Sequence, residues 1–92
     1  MSRVLVYTKY KCPFSEQTRF FLDEKGIPYE EVDITDRPDL EAEMVEASGG
    51  DDTTPQILID GAHIGGFDDL VEEDRQGRLA ATLASGLDRP GV

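Results

Sequence analysis

The chain has 92 residues, 38% of them hydrophobic, and carries 9 lysines and arginines against 20 aspartates and glutamates, for a formal charge of −11. That length holds one domain with one modest core, and the acidity disfavours nucleic acid and anionic membrane surfaces as partners. A single cysteine excludes an intramolecular disulfide framework, and no apolar run nears the ~20 residues of a membrane-spanning helix.

Residues 3–8, RVLVYT, are β-branched and aromatic and form a short run, which predicts a buried strand. Lys9, Tyr10, Lys11 and Cys12 make a loop. Pro13 then suits the first helical position, where a missing N–H costs nothing. Phe14, Thr18, Phe21 and Leu22 fall at helical spacing, and Gly26 and Pro28 end that helix. Residues 29–34, YEEVDI, predict a second strand. Asp36, Arg37 and Pro38 open a second helix, with Leu40, Met44, Val45 and Ala47 as its apolar stripe.

Residues 48–52 are a polar loop. Pro55 enters a third strand over 56–59, a position where proline is tolerated. Asp60-Gly61 predicts a tight hairpin into a fourth strand over 62–64. Gly65-Gly66 breaks that strand, and Asp68 or Asp69 caps a final helix through Leu70, Val71 and the region 79–83. The order is β-α-β-α-β-β-α, an α/β domain with one four-stranded mixed sheet flanked by three or more helices. Two strand–helix–strand crossings imply a parallel pair followed by an antiparallel hairpin. The domain is placed at residues 1–85, with a C-terminal tail at 86–92. Met1-Ser2-Arg3 runs directly into Val4-Leu5-Val6, too short for a signal core, so the expected compartment is the cytoplasm.

The chemistry centres on Cys12. It sits where the first strand hands over to the first helix, where N–H groups and the macrodipole favour an anion. Lys9 and Lys11 add positive charge, so the thiol should ionise more readily than a free cysteine. Ser15 occupies the second cysteine position of a C-x-x-C pattern. It cannot form an internal disulfide, so an external thiol must resolve any mixed disulfide on Cys12. Ser15 is either a donor to the Cys12 sulfur or an ordinary first-turn polar residue. Gly65-Gly66 allows close approach of a ligand, and the helix start beyond offers N–H groups to a carboxylate, with Asp68 and Asp69 beside it for an ammonium. His63 reads as an ordinary strand residue, and no cluster has metal-ligand spacing.

KYKCPFS, TTPQILIDG and HIGGFDDL, in that order, resemble the three signature segments of glutaredoxins. The resemblance runs from about Val4 to Leu83. It implies a thioredoxin fold and a glutathione-dependent thiol–disulfide oxidoreductase that reduces protein–glutathione mixed disulfides. Glutathione is then the co-substrate, glutathionylated proteins or small disulfides are the partners, and the chain acts as a monomer. Cys12 resembles the nucleophile and Lys9 the lysine that pairs with the glycyl carboxylate of glutathione. Phe14 lines the groove. Thr54 precedes the family's cis-proline, Pro55, and its backbone pairs with the cysteinyl part, where valine is usual. Gly66, Phe67, Asp68 and Asp69 match the segment that holds the γ-glutamyl end.

CPFS is neither the common dithiol CPYC nor the monothiol CGFS, and the chain has no tryptophan. It looks like the compact class with its resolving cysteine replaced. Where the family often offers a basic or amide side chain to the glycyl carboxylate, this chain has Glu41, with Arg37 as the substitute. The alternative implied by the resemblance is a carrier of one [2Fe–2S] cluster, held by Cys12 of two copies and two glutathiones. The rigid Pro13 beside the cysteine weighs against it.

Overall fold

The computed structural model describes residues 3–87. In chain order it contains β1 (Val4–Thr8), α1 (Pro13–Glu24), β2 (Glu30–Asp33), α2 (Pro38–Ala47), β3 (Gln56–Ile59), β4 (Ala62–Gly65), α3 (Phe67–Arg75) and α4 (Arg78–Leu87). The four strands form one sheet in the order β2-β1-β3-β4. β1 pairs parallel with β2, while β3 runs antiparallel to both β1 and β4. Only the first strand–helix–strand crossing therefore makes a parallel pair; the second carries the chain over β1 and returns it antiparallel.

Alternation along the two central strands builds two cores, because successive side chains point to opposite faces. Val4 and Val6 of β1 and Ile57 and Ile59 of β3 pack with Leu22, Leu70 and Leu79 from the helices α1, α3 and α4. Tyr7 and Leu58 point the other way and pack with Ile34 and Met44, with Leu40, Val45 and Ala47 of α2 against them. The sheet is thus covered on one face by α1, α3 and α4 and on the other by α2, the thioredoxin fold.

The helix starts follow the sequence closely. Pro13 and Pro38 begin α1 and α2, where fixed φ helps and the absent N–H is no loss. Gly26 takes φ +67 just beyond α1. The last helical region differs from expectation. It is two helices, not one, interrupted at Gly77 with φ +78, a backbone conformation that glycine adopts without a steric penalty. The N-cap of α3 is Gly66 rather than Asp68 or Asp69. Asp69 instead reaches back from the first turn, its Oδ2 accepting the Gly66 N–H at 3.0 Å. α4 runs to Leu87, two residues into the stretch expected to be a tail; residues 88–92 lie outside the described residues. Among the described residues no helix is long and apolar enough to cross a membrane.

α1 buries Ser15, Thr18 and Leu22. Phe14, expected on its apolar stripe, is instead 52% exposed. A 3.6-residue period places Ser15 on the sheet side of the helix with Thr18 and Leu22, and turns Phe14 toward the rim of the sheet.

Candidate active site

Cys12 is the N-cap of α1, half-buried at the carboxyl end of β1. The turn before it closes by the Cys12 N–H donating to the Lys9 carbonyl at 3.2 Å, and the Cys12 carbonyl starts the helix by accepting from Glu16 N–H at 3.2 Å. Lys11 holds a left-handed φ of 59 in that turn. The Tyr10 amide donates to the Thr35 hydroxyl at 2.8 Å, which ties the turn to the loop after β2.

The wall facing Cys12 is the segment entering β3. The Thr54–Pro55 peptide is cis. The Thr54 hydroxyl donates to the Cys12 Sγ at 3.4 Å, and the Cys12 thiol donates to the Thr54 carbonyl at 3.5 Å. Gly66 lies behind this segment: a Cβ added there would sit 3.6 Å from the Pro55 carbonyl oxygen. Phe67 follows it, with its ring 6.3 Å from that of Phe14 and 6.1 Å from that of Phe21. Cys12, Phe14, Ser15, Thr54, Pro55, Gly66 and Phe67 thus converge from three separate stretches of sequence.

The Cys12 thiol ionises below its ordinary range. Burial alone would push it up. Hydrogen bonds from the Ser15 and Thr54 side chains and the Ser15 and Phe14 backbone N–H groups more than offset that. The helix start contributes as expected, through two of its unpaired amides. Lys9 and Lys11 are both exposed on the edge of a cleft of about 480 Å³ that also presents Glu16, Arg19, Glu31 and Asp33. Lys11 Nζ lies 5.6 Å from the Tyr10 ring centroid. Ser15 is fully buried, and its hydroxyl also accepts the Lys9 amide at 3.4 Å, so it is more than a first-turn polar residue.

Other expected residues stand further off. The Arg37 guanidinium is exposed and clasps Asp39 through two hydrogen bonds of 3.1 and 2.9 Å. Glu41 is half-buried one turn into α2. Asp68 is exposed in the first turn of α3, and Asp69 is engaged by the Gly66 amide.

Two features escaped the sequence reading. One is the Thr54 hydroxyl, since only the backbone of that residue was expected to matter. The other is a polar brace under the Thr54–Pro55 segment. Gln56 is fully buried, and its amide donates to the Thr53 carbonyl and hydroxyl at 2.9 and 3.1 Å. Asp51 Oδ1 accepts from the Thr53 amide at 2.9 Å and its hydroxyl at 2.6 Å. His63 Nε2 meets Gln56 Oε1 at 2.6 Å. The available signal was a glutamine opening an otherwise apolar strand, QILI, since a buried polar side chain requires partners.

A helix-start cysteine facing a cis-proline on a four-stranded mixed sheet defines a thiol–disulfide oxidoreductase of the thioredoxin fold. The glutaredoxin family model matches residues 4–64. The chain is 40% identical to glutaredoxin 3 of Escherichia coli K12 over 83 residues, 90% of this chain and 99% of that protein. The solution structure of glutaredoxin from Brucella melitensis is similar with a TM-score of 0.77 at 40% identity, covering 94% of this chain and 92% of that one. A buckwheat glutaredoxin–glutathione complex gives a TM-score of 0.80 at 26% identity, over 91% and 78% of the two chains. The chain belongs to the glutaredoxin family, glutathione-dependent thiol–disulfide oxidoreductases.

Proposed function

We propose that the protein reduces protein–glutathione mixed disulfides and small glutathione disulfides by a monothiol cycle through Cys12. The observation that carries this reading is the buried Ser15 hydroxyl where a resolving cysteine would stand, in a chain whose only cysteine is Cys12. The Cys12 thiolate attacks the glutathione sulfur of the substrate, and the protein thiolate leaves and takes up a proton. Cys12 and glutathione are then joined by a disulfide. The thiolate of a second glutathione attacks the glutathione sulfur of that bond. Glutathione disulfide departs and the Cys12 thiolate is regenerated.

In this reading the tripeptide lies between the Cys12 turn and the segments Thr54-Pro55 and Gly66-Phe67. Thr54 offers backbone groups to its cysteinyl part. The α3 start, with Gly66, Phe67, Asp68 and Asp69, takes the γ-glutamyl end, and Phe14 lines the groove. Lys9 pairs with the glycyl carboxylate. Arg37, which holds Asp39 in this structure, is the second candidate for that carboxylate. The chain acts as a monomer in the cytoplasm.

The test is glutathione-dependent reduction of a glutathionylated protein by wild type and Cys12→Ser, with mass spectrometry of the enzyme after exposure to glutathione disulfide. Wild type should be active and carry one glutathionyl group, and the variant should show neither. Equal rates would overturn the reading. A coloured dimer after anaerobic reconstitution with iron, sulfide and glutathione, from an enzyme inactive on the disulfide, would replace it with the cluster-carrier reading.

A further inference from the structure

We infer that the side-chain hydroxyl of Thr54 is a second catalytic group, donating a hydrogen bond to the Cys12 sulfur whenever that sulfur carries negative charge. This rests on the monothiol reading and assigns to the side chain a role beyond the backbone contact that any residue there would supply.

The geometry is specific. The hydroxyl oxygen lies 3.4 Å from Sγ and the carbonyl oxygen of the same residue 3.5 Å from it. The two groups serve opposite protonation states. In the thiol, S–H donates to the carbonyl. In the thiolate that donor is gone, and the hydroxyl supplies the hydrogen bond that the anion accepts. Thr54 is also held from both sides. The preceding Thr53 is fixed through its carbonyl, amide and hydroxyl by Gln56 and Asp51, and the following Pro55 is buried beside Gly66. The hydroxyl therefore meets the sulfur without having to be ordered at the moment of reaction. It also belongs to the set of hydrogen bonds that holds Cys12 below the ordinary thiol range.

The two halves of the cycle feel this bond differently. In the first half Cys12 is the nucleophile. Stabilising the thiolate raises its abundance but lowers its intrinsic reactivity, with a Brønsted coefficient of about 0.4–0.5. In the second half Cys12 is the leaving group, and a stabilised thiolate leaves faster. With no internal cysteine to resolve the mixed disulfide, the second half depends on external glutathione, and the hydroxyl assists the step that has no intramolecular help.

Thr54→Val keeps the shape and removes the donor; Thr54→Ser keeps the donor and removes the methyl. Three readouts are taken on each: the thiolate absorbance of Cys12 against pH, its alkylation rate against pH, and the rate at which glutathione releases glutathione disulfide from pre-formed enzyme–glutathione adduct. A hydrogen bond of ordinary net strength corresponds to about a 3- to 10-fold effect. Thr54→Val should titrate higher, its Cys12 ionisation constant smaller by that factor. Its alkylation should be slower at neutral pH yet equal to or faster than wild type once both are fully ionised, and its release step should be slower at every pH. Thr54→Ser should keep the low titration midpoint and the fast release. Thr54→Val matching wild type in titration and release, while Cys12→Ser is inactive, would overturn the inference and leave the monothiol reading intact. Thr54→Ser failing in the same way as Thr54→Val, although it keeps the hydroxyl, would show that the hydroxyl is not what the sulfur depends on and would also overturn it. Absence of any glutathionyl adduct on wild type would instead be a failure of the monothiol reading itself.

Discussion

The buried hydroxyl of Ser15 accepts the backbone N–H of Lys9 at 3.4 Å, across the turn that presents Cys12. The same residue helps to hold the Cys12 thiol below its ordinary range. One side chain thus closes the turn and supports the thiolate, at a position where a cysteine would leave the Lys9 amide with a poorer acceptor. Ser15→Ala should cost about 1 kcal/mol in urea unfolding, near the lower end for an abandoned buried partner because the bond is long. It should also raise the Cys12 titration midpoint. An unchanged midpoint would show that the serine serves the turn alone.

The favoured ionisation of Cys12 makes the fold's stability depend on pH. The folded thiol titrates below the unfolded one because of the hydrogen bonds from Ser15, Thr54 and Phe14, which outweigh burial. The folded state therefore binds fewer protons between the two values. The stabilisation is fully present above the unfolded thiol value of about 8.5, and is lost as pH falls through the folded value. Relative to Cys12→Ser, wild type should gain thermal stability as pH rises toward 9. Parallel Tm curves for the two proteins across that range would contradict it.

Much of this was legible in the residues because local signals and tertiary environment agree. Pro13 and Pro38 mark helix starts in either view, and the run QILI is both β-prone and buried. The site was legible where it depends on chain position: a cysteine before Pro13 must sit at a helix start. It was not legible where it depends on which face a side chain takes across space. Nothing near Thr54 in sequence says that its hydroxyl points at a sulfur 42 residues away. Gln56 shows the same difficulty, since its partner His63 lies on the neighbouring strand.

Gly65 should be intolerant of a side chain for two separable reasons. Its φ is +125, and a Cβ would run into the Asp69 carboxylate that caps α3 from the Gly66 amide. Gly65→Ala should lose about 1–3 kcal/mol from the backbone alone, plus the displaced cap. Adding Asp69→Gly should recover only the collision, so the double variant should remain below the Asp69→Gly single variant in denaturant midpoint. Full recovery would show that backbone conformation at Gly65 contributes nothing.

Leu22 is the residue through which α1, and with it Cys12, is seated on the sheet. It is fully buried with Val4, Val6, Ile57 and Ile59 of the two central strands, while the helix's other buried side chains, Ser15 and Thr18, are polar and small. Thr18 spends its hydroxyl on the Phe14 carbonyl at 2.8 Å rather than on a neighbouring element. The apolar anchoring of the helix therefore falls on Leu22, with Phe21 half-buried beside it. Leu22→Ala should cost about 2–5 kcal/mol, as for other large-to-small changes at fully buried sites, a large fraction of the stability of a domain this size. Because the cavity opens about three turns along α1 from the thiol, the variant that remains folded at low temperature should also show a Cys12 alkylation profile shifted to higher pH than that of wild type. A loss under 1 kcal/mol would mean that α1 is seated mainly by its first turn, through Ser15 and the Cys12 contacts to Thr54.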